Sequence, residues 1–132
     1  MKSLQEHKNW QRGQEFLGVK FPLIAGAMTW ISDAKLVGSV GTAGGFGVLA
    51  AGNTPVEHLK MEVKTLKQKT IPFALNLITI APNYLDHLQM AIDLNVPFIV
   101  FAGSFPRKSE VQLAKNSGAK VICFASTESI AQ

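Results

Sequence analysis

Five short stretches of this chain carry residue types from which a binding site could be assembled. They are Gly26-Ala27-Met28-Thr29-Trp30, Ala51-Gly52-Asn53, Asn76 within Leu75-Asn76-Leu77, Ala102-Gly103-Ser104 and Phe124-Ala125-Ser126. Small residues and amides dominate them and carboxylates are missing, which disfavours a phosphoacceptor site built on clustered aspartates. The set suits a flat ring such as an isoalloxazine, which needs close backbone approach, an apolar wall and a few hydrogen bonds to its polar edge. Gly26 and Ala27 permit the approach and Met28 supplies a polarizable wall. Asn76 interrupts an apolar run, and a buried amide needs a partner. The bland reading is that Asn76 satisfies a neighbouring loop and Met28 is ordinary core; residue types alone leave both open.

Other candidates read as structural. Gly41-Thr42-Ala43-Gly44-Gly45-Phe46-Gly47 precedes a strand and opens no helix, so it fits a turn from helix into strand better than a dinucleotide loop. Cys123 is the single cysteine, which excludes an internal disulfide and a multi-cysteine metal site. Lying within an apolar run, it is expected to be a buried, inert thiol.

The elements that must position these stretches follow from hydrophobic pattern. Apolar runs of strand length occur at Phe21–Ala25, Gly45–Ala51, Pro72–Ile80, Pro97–Gly103 and Ala119–Ala125, with starts roughly 25 residues apart. Between them lie helical patterns. Thr54-Pro55-Val56-Glu57 reads as a capping box opening a helix with Val56, Leu59, Val63 and Leu66 inward. A second helix follows Ser32-Asp33 with Leu36, Val37 and Val40 inward, and a third follows Asn83 with Leu85, Leu88 and Ile92 inward. A fourth covers roughly Arg107 to Ser117 and ends at Gly118, and a fifth starts near Ser126. Residues 1–16 read as a lead-in arm or helix.

Strand and helix in alternation at this pitch mean right-handed βαβ crossovers and a parallel sheet. A five-stranded doubly wound domain would be nearly complete in 132 residues, whereas a (β/α)₈ barrel needs ~250 and would be about half built. In either case the five stretches fall at the carboxyl ends of the strands, where such folds bind ligands.

Composition agrees with buried parallel strands: 47% of residues are hydrophobic and only 17% charged, against roughly 25% charged in an ordinary soluble domain. No apolar run approaches the ~20 residues that cross a bilayer, and the N-terminus lacks the apolar core of a signal peptide. A cytoplasmic location without membrane contact is expected. The net charge of +4 comes from lysines spread singly over helical segments (Lys60, Lys64, Lys67, Lys69, Lys115), which argues against a nucleic-acid partner.

The order and spacing of Gly26-Ala27-Met28-x-Trp30 after a Phe-Pro strand, Ala43-Gly44-Gly45-Phe46-Gly47, Pro72-Phe73-x-x-Asn76 and Ala102-Gly103 resemble the nitronate monooxygenase (2-nitropropane dioxygenase) family. That family also contains the FMN-dependent enoyl-(acyl-carrier-protein) reductase II. The resemblance covers residues 17–132 and implies the N-terminal five β/α units of an FMN-binding (β/α)₈ TIM barrel, an α/β fold cut short. It implies that Ala27, Met28 and Thr29 lie in the flavin-contacting segment, that Asn76 is the flavin-contacting asparagine, and that Gly103 sits close to the ring.

By the same resemblance the intact enzyme would oxidise nitronates or nitroalkanes with oxygen, a histidine assisting proton abstraction. The alternative is NAD(P)H-dependent reduction of an enoyl thioester. The family histidine would fall beyond Gln132, and the lysine found near the end of the fifth strand in bacterial monooxygenases is replaced by Phe124. His7, His58 and His87 match nothing catalytic and are expected to be exposed or capping residues. The chain alone is therefore expected to be inactive or a non-catalytic remnant, and to form homo-oligomers or aggregates through exposed strand edges.

Overall fold

In the computed structural model, which describes residues 6–131, strands and helices alternate as the spacing demands. The strands are β1 (Ile24–Ala25), β2 (Phe46–Ala50), β3 (Phe73–Ile78), β4 (Phe98–Ala102) and β5 (Lys120–Cys123). The helices are α1 (Lys8–Leu17), α2 (Ala34–Thr42), α3 (Val56–Gln68), α4 (Tyr84–Asp93), α5 (Lys108–Asn116) and the single turn α6 (Glu128–Ala131). The strands form one sheet in chain order, β1-β2-β3-β4-β5, every neighbouring pair parallel. A doubly wound sheet reverses its strand order at a switch point; this one never does, so its five β/α units are those of a barrel wall.

The two faces of the wall carry separate cores because side chains alternate along each strand. Phe73, Leu75 and Leu77 of β3 pack with Leu49, Ile99 and Phe101 against the helices, joined there by Leu59, Val63, Leu66, Leu88 and Ala91. Phe46, Val48, Ala74, Phe98 and Val100 form the opposite, inner core with Leu17. Helix α1 closes the amino end of that inner face. Phe16 meets Phe98 edge-on at 5.8 Å, and the Lys120 ammonium donates to the Phe16 carbonyl at 2.6 Å. Gly47 shows why glycine ends the helix-to-strand turn: a Cβ there would stand 2.8 Å from Val37 Cγ1 and 2.9 Å from its Cα, so any side chain would push α2 off β2.

Several expectations are corrected. Thr54 does not cap α3; Pro55 occupies the N-cap position without a side-chain bond, and the Thr54 carbonyl serves another partner described below. Leu85 is 62% exposed, because the buried stripe of α4 runs Tyr84, His87, Leu88 and Ala91. Cys123 is exposed, since β5 is an edge strand with little against its outer side; even so, partial burial raises its thiol pKa, offset in part by Lys115. The first strand is only Ile24–Ala25, shorter than the apolar run that contains it. Of the lead-in segment, residues 8–17 are the helix α1, and residues 1–5 lie outside the described part.

Candidate functional site

The site is built from the loops that leave the carboxyl ends of the strands. After β1 the chain makes a tight turn around Met28. Its carbonyl accepts from Ile31 and Ser32 at 3.0 and 2.8 Å, and its own N–H donates to Ser32 Oγ at 2.9 Å. The Ser32 hydroxyl in turn donates to the Gly26 carbonyl at 3.2 Å, so one buried serine ties both ends of the Gly26–Ser32 loop. The turn forces Trp30 to φ 66°, a region costly for a non-glycine residue, and leaves its ring 81% exposed. Ala27 packs on the inner core, and the Met28 side chain is 45% exposed. The sequence marks Ser32 only as part of the Ser32-Asp33 helix start; its partners lie across an irregular loop that no periodicity marks.

Thr29 abuts the end of β2: a Cβ on Gly52 would lie 3.3 Å from Thr29 Cγ2. At the ends of β3 and β4 a second hydroxyl acts as a staple. Thr79 Oγ1 accepts the Ser104 N–H at 2.8 Å and lies 3.1 and 3.0 Å from the Ala102 and Ser104 carbonyls. Gly103 between them has φ 93°, and a Cβ there would press on Ile78 Cγ2 at 3.2 Å. Both constraints demand glycine and leave bare backbone at the mouth. Phe101 to Pro106 and Phe124 to Ser126 line a cleft of about 350 Å³ at the ends of β4 and β5.

Asn76 stands between these loops. It pairs in register with Ala50 on β2 and Val100 on β4. Alternation places it with Ala74 on the inner face. It is 6% exposed. Its carbonyl accepts the Ala51 N–H at 3.1 Å, but among the described residues its side-chain amide has no hydrogen-bond partner. The amide atoms are not sealed from solvent, so the side chain is open to a partner at the mouth. The loops 26–33, 51–55, 79–83, 103–107 and 124–127 contain no histidine, and their only charged residues are Asp33 and Arg107, each at the last position before a helix. Met28, Trp30, Ile31, Ile80, Phe105 and Phe124, all at least 45% exposed, give this end an apolar rim.

The three histidines lie elsewhere. His58 on α3 is exposed and 3.7 Å from Glu62, and His7 precedes α1 without a side-chain cap. His87 is 1% exposed, against the expectation of a surface or capping residue, because it faces the core side of α4. Behind the β3–β4 end, the buried Tyr84 hydroxyl donates to Glu110 Oε2 at 2.9 Å, an oxygen that also accepts the Arg107 N–H at 2.7 Å. Burial first, and the Glu110 bond second, push the Tyr84 pKa far above its ordinary value. Among the described residues no cluster could hold a metal ion, and no helix is long and apolar enough to cross a membrane.

A sequential parallel β/α wall is the architecture of barrel enzymes, whose active sites lie at the carboxyl ends of the strands. The chain belongs to the nitronate monooxygenase family, whose model matches residues 11–131, and members of that family are flavin-dependent oxidoreductases. It is 29% identical, over 82% of its length, to the (3aS,4S,5R,7aS)-5-hydroxy-7a-methyl-1-oxo-octahydro-1H-indene-4-carboxyl-CoA dehydrogenase of Mycobacterium tuberculosis, covering 30% of that protein. It is 26% identical to a probable nitronate monooxygenase of Staphylococcus saprophyticus, over 82% of this chain and 34% of the relative. Among solved structures, FabK from Thermotoga maritima superposes with a TM-score of 0.84 at 29% identity, over 91% of this chain and 39% of that one. The chain thus spans about a third of the length of the curated relatives it matches.

Proposed function

We propose that residues 17–131 form the part of an FMN-dependent oxidoreductase that holds the flavin ring, with nitronate oxidation as the reaction of the whole enzyme. The observation that carries this reading is the Asn76 amide, nearly buried and unpartnered at the carboxyl end of β3. FMN, when bound, supplies the electron-accepting centre that oxygen can reoxidise. Asn76 would bond the polar edge of the ring, while Ala27 and Gly103 admit it close to the backbone and Met28 covers a face. The Met28 N–H is already given to Ser32. The polar contact from that loop therefore falls to the Ala27 and Thr29 N–H groups, which have no partner among the described residues. The apolar rim keeps water from the ring.

A second reading, oxidation or reduction of an acyl thioester, is favoured by the mouth itself. A nitronate is a small anion, and the one cation on the five loops is Arg107, at the start of α5 and 4.0 Å from the Glu110 carboxylate. The exposed Trp30, Ile80, Phe105 and Phe124 instead suit a substrate with a bulky apolar body, each buried CH₂ of which contributes about 0.8 kcal/mol.

Titration of the 132-residue chain with FMN, followed by flavin fluorescence, tests the site. Asn76→Ala is expected to raise the Kd about tenfold to a hundredfold, the effect of ~1–3 kcal/mol from an unpaired polar edge, while Cys123→Ala leaves it unchanged. Equal Kd values for the two variants would place Asn76 away from the ring.

A further inference from the structure

His87 is the most deeply buried ionisable side chain outside the flavin face, and its bonding is lopsided. Nε2 lies 2.7 Å from the Thr54 carbonyl, a contact between α4 and the turn that follows β2. A carbonyl only accepts, so Nε2 carries the proton and Nδ1 is left as a bare acceptor. Nδ1 is buried and without a partner among the described residues. A buried nitrogen left unsatisfied calls for an explanation, and the bond made by the other nitrogen offers one.

What it holds is the back wall of the proposed site. The Thr54 N–H donates to the Ala51 carbonyl at 2.8 Å, and the Ala51 N–H donates to the Asn76 carbonyl at 3.1 Å, so the 51–54 turn is tied to the strand that carries the candidate amide. Gly52, at the apex with φ 48°, rests against Thr29. Helix α3 begins immediately afterwards with no side-chain cap, so the Thr54 carbonyl is not held by a capping side chain of its own helix. His87 supplies the fastening from 33 residues away.

We infer that His87 is a positioning residue for the flavin face: its Nε2–H fixes the 51–54 turn, which in turn sets Thr29 and the backbone of Asn76. The inference rests on the flavin reading above. Glutamine presents an N–H near the position of Nε2, whereas asparagine presents one near Nδ1, so the two amides separate a specific bond from general polarity or volume.

The test compares wild type with His87→Gln, His87→Asn and His87→Leu in two measurements: hydrogen exchange at the Thr54 amide without ligand, and FMN affinity by fluorescence. Expected is slow exchange and tight FMN in wild type and His87→Gln. Exchange about tenfold faster, with Kd raised about fivefold to tenfold, is expected in His87→Asn and His87→Leu, the effect of one neutral hydrogen bond. Equal exchange in all four chains would overturn the inference, as would a split in exchange that FMN affinity does not follow. Failure of the flavin reading is seen separately, as absence of FMN binding by wild type before any variant is compared.

Discussion

If Asn76 serves a ligand and not the fold, replacing it with an apolar residue of similar shape should stabilise the ligand-free protein. Asn76→Leu is the perturbation. The amide is flanked in register by Ala50 and Val100 and lies on the face shared by Val48 and Ala74, so a leucine meets apolar neighbours. A fully buried polar group left unpaired costs ~1–3 kcal/mol. Asn76 keeps 6% of its surface, enough for its amide to touch water at the mouth, so the lower end applies, about 1 kcal/mol. For a chain of 132 residues that is a rise in Tm of about 3–5 °C. The assay is thermal and urea unfolding of both chains at matched concentration without FMN, beside FMN titration of each. Leucine should raise the urea midpoint and abolish flavin affinity together. A destabilisation of more than about 1 kcal/mol would show that the amide supports the fold, and would remove the argument from which the flavin site was built.

Three further outcomes follow from the same geometry. The protonated Tyr84 hydroxyl donates to Glu110, and its pKa is raised; the stability it contributes is complete below the ordinary tyrosine value of 10.0 and is lost as pH rises above it, so urea midpoints should fall at alkaline pH in wild type and less in Tyr84→Phe. The 132-residue chain should consume neither oxygen with nitronates nor NAD(P)H with crotonyl thioesters, because no histidine lies on its five mouth loops; FMN-dependent turnover by pure protein would contradict this. Sedimentation at micromolar concentration should show self-association, since β1 and β5 each have one unpaired edge and Leu23, Ile24 and Phe124 are 55–69% exposed beside them; a single 14.3 kDa species would refute it.

The wall was legible because parallel strands buried on both faces leave continuous apolar runs, and the Gly and Pro residues that bound them survive in any context. What decided the architecture, the unreversed strand order, has no signature in a single run. Leu85 was read inward because it is apolar. The real stripe passes through His87, which looks polar in sequence but contributes a buried ring. Cys123 was read as buried from the same kind of run, yet burial of a strand depends on neighbours that periodicity does not report. Of the site, Gly103 was legible as small and strand-terminal, and Asn76 as an interruption. Ser32, Thr79 and His87 were not, because each acts through a bond whose partner is set by the loops' three-dimensional path.

The two ends of the wall are fastened differently. At the amino end a charge is used freely: Lys120 is held by the Phe16 carbonyl and sits 5.2 Å from the rings of Phe16 and Phe98. At the carboxyl end the parts of the loops nearest the mouth are fastened by neutral groups, the hydroxyls of Ser32 and Thr79 and the imidazole N–H of His87, while the carboxylates of Asp33 and Glu110 act further back, where the loops enter α2 and α5. Ion pairs would fasten loops as well, but a single unit charge about 8 Å from a bound ring, at an effective dielectric of about 20, acts on any added electron with about 2 kcal/mol. Neutral staples fix geometry without imposing that field. A redox cofactor held here would take its electrostatic tuning from its own phosphate and from whatever else surrounds it. This wall would contribute shape, one amide and dryness, which is why its most informative residues are Trp30 at positive φ, His87 with a nitrogen unpaired among the described residues, and Asn76, whose amide faces the mouth without a protein partner among them.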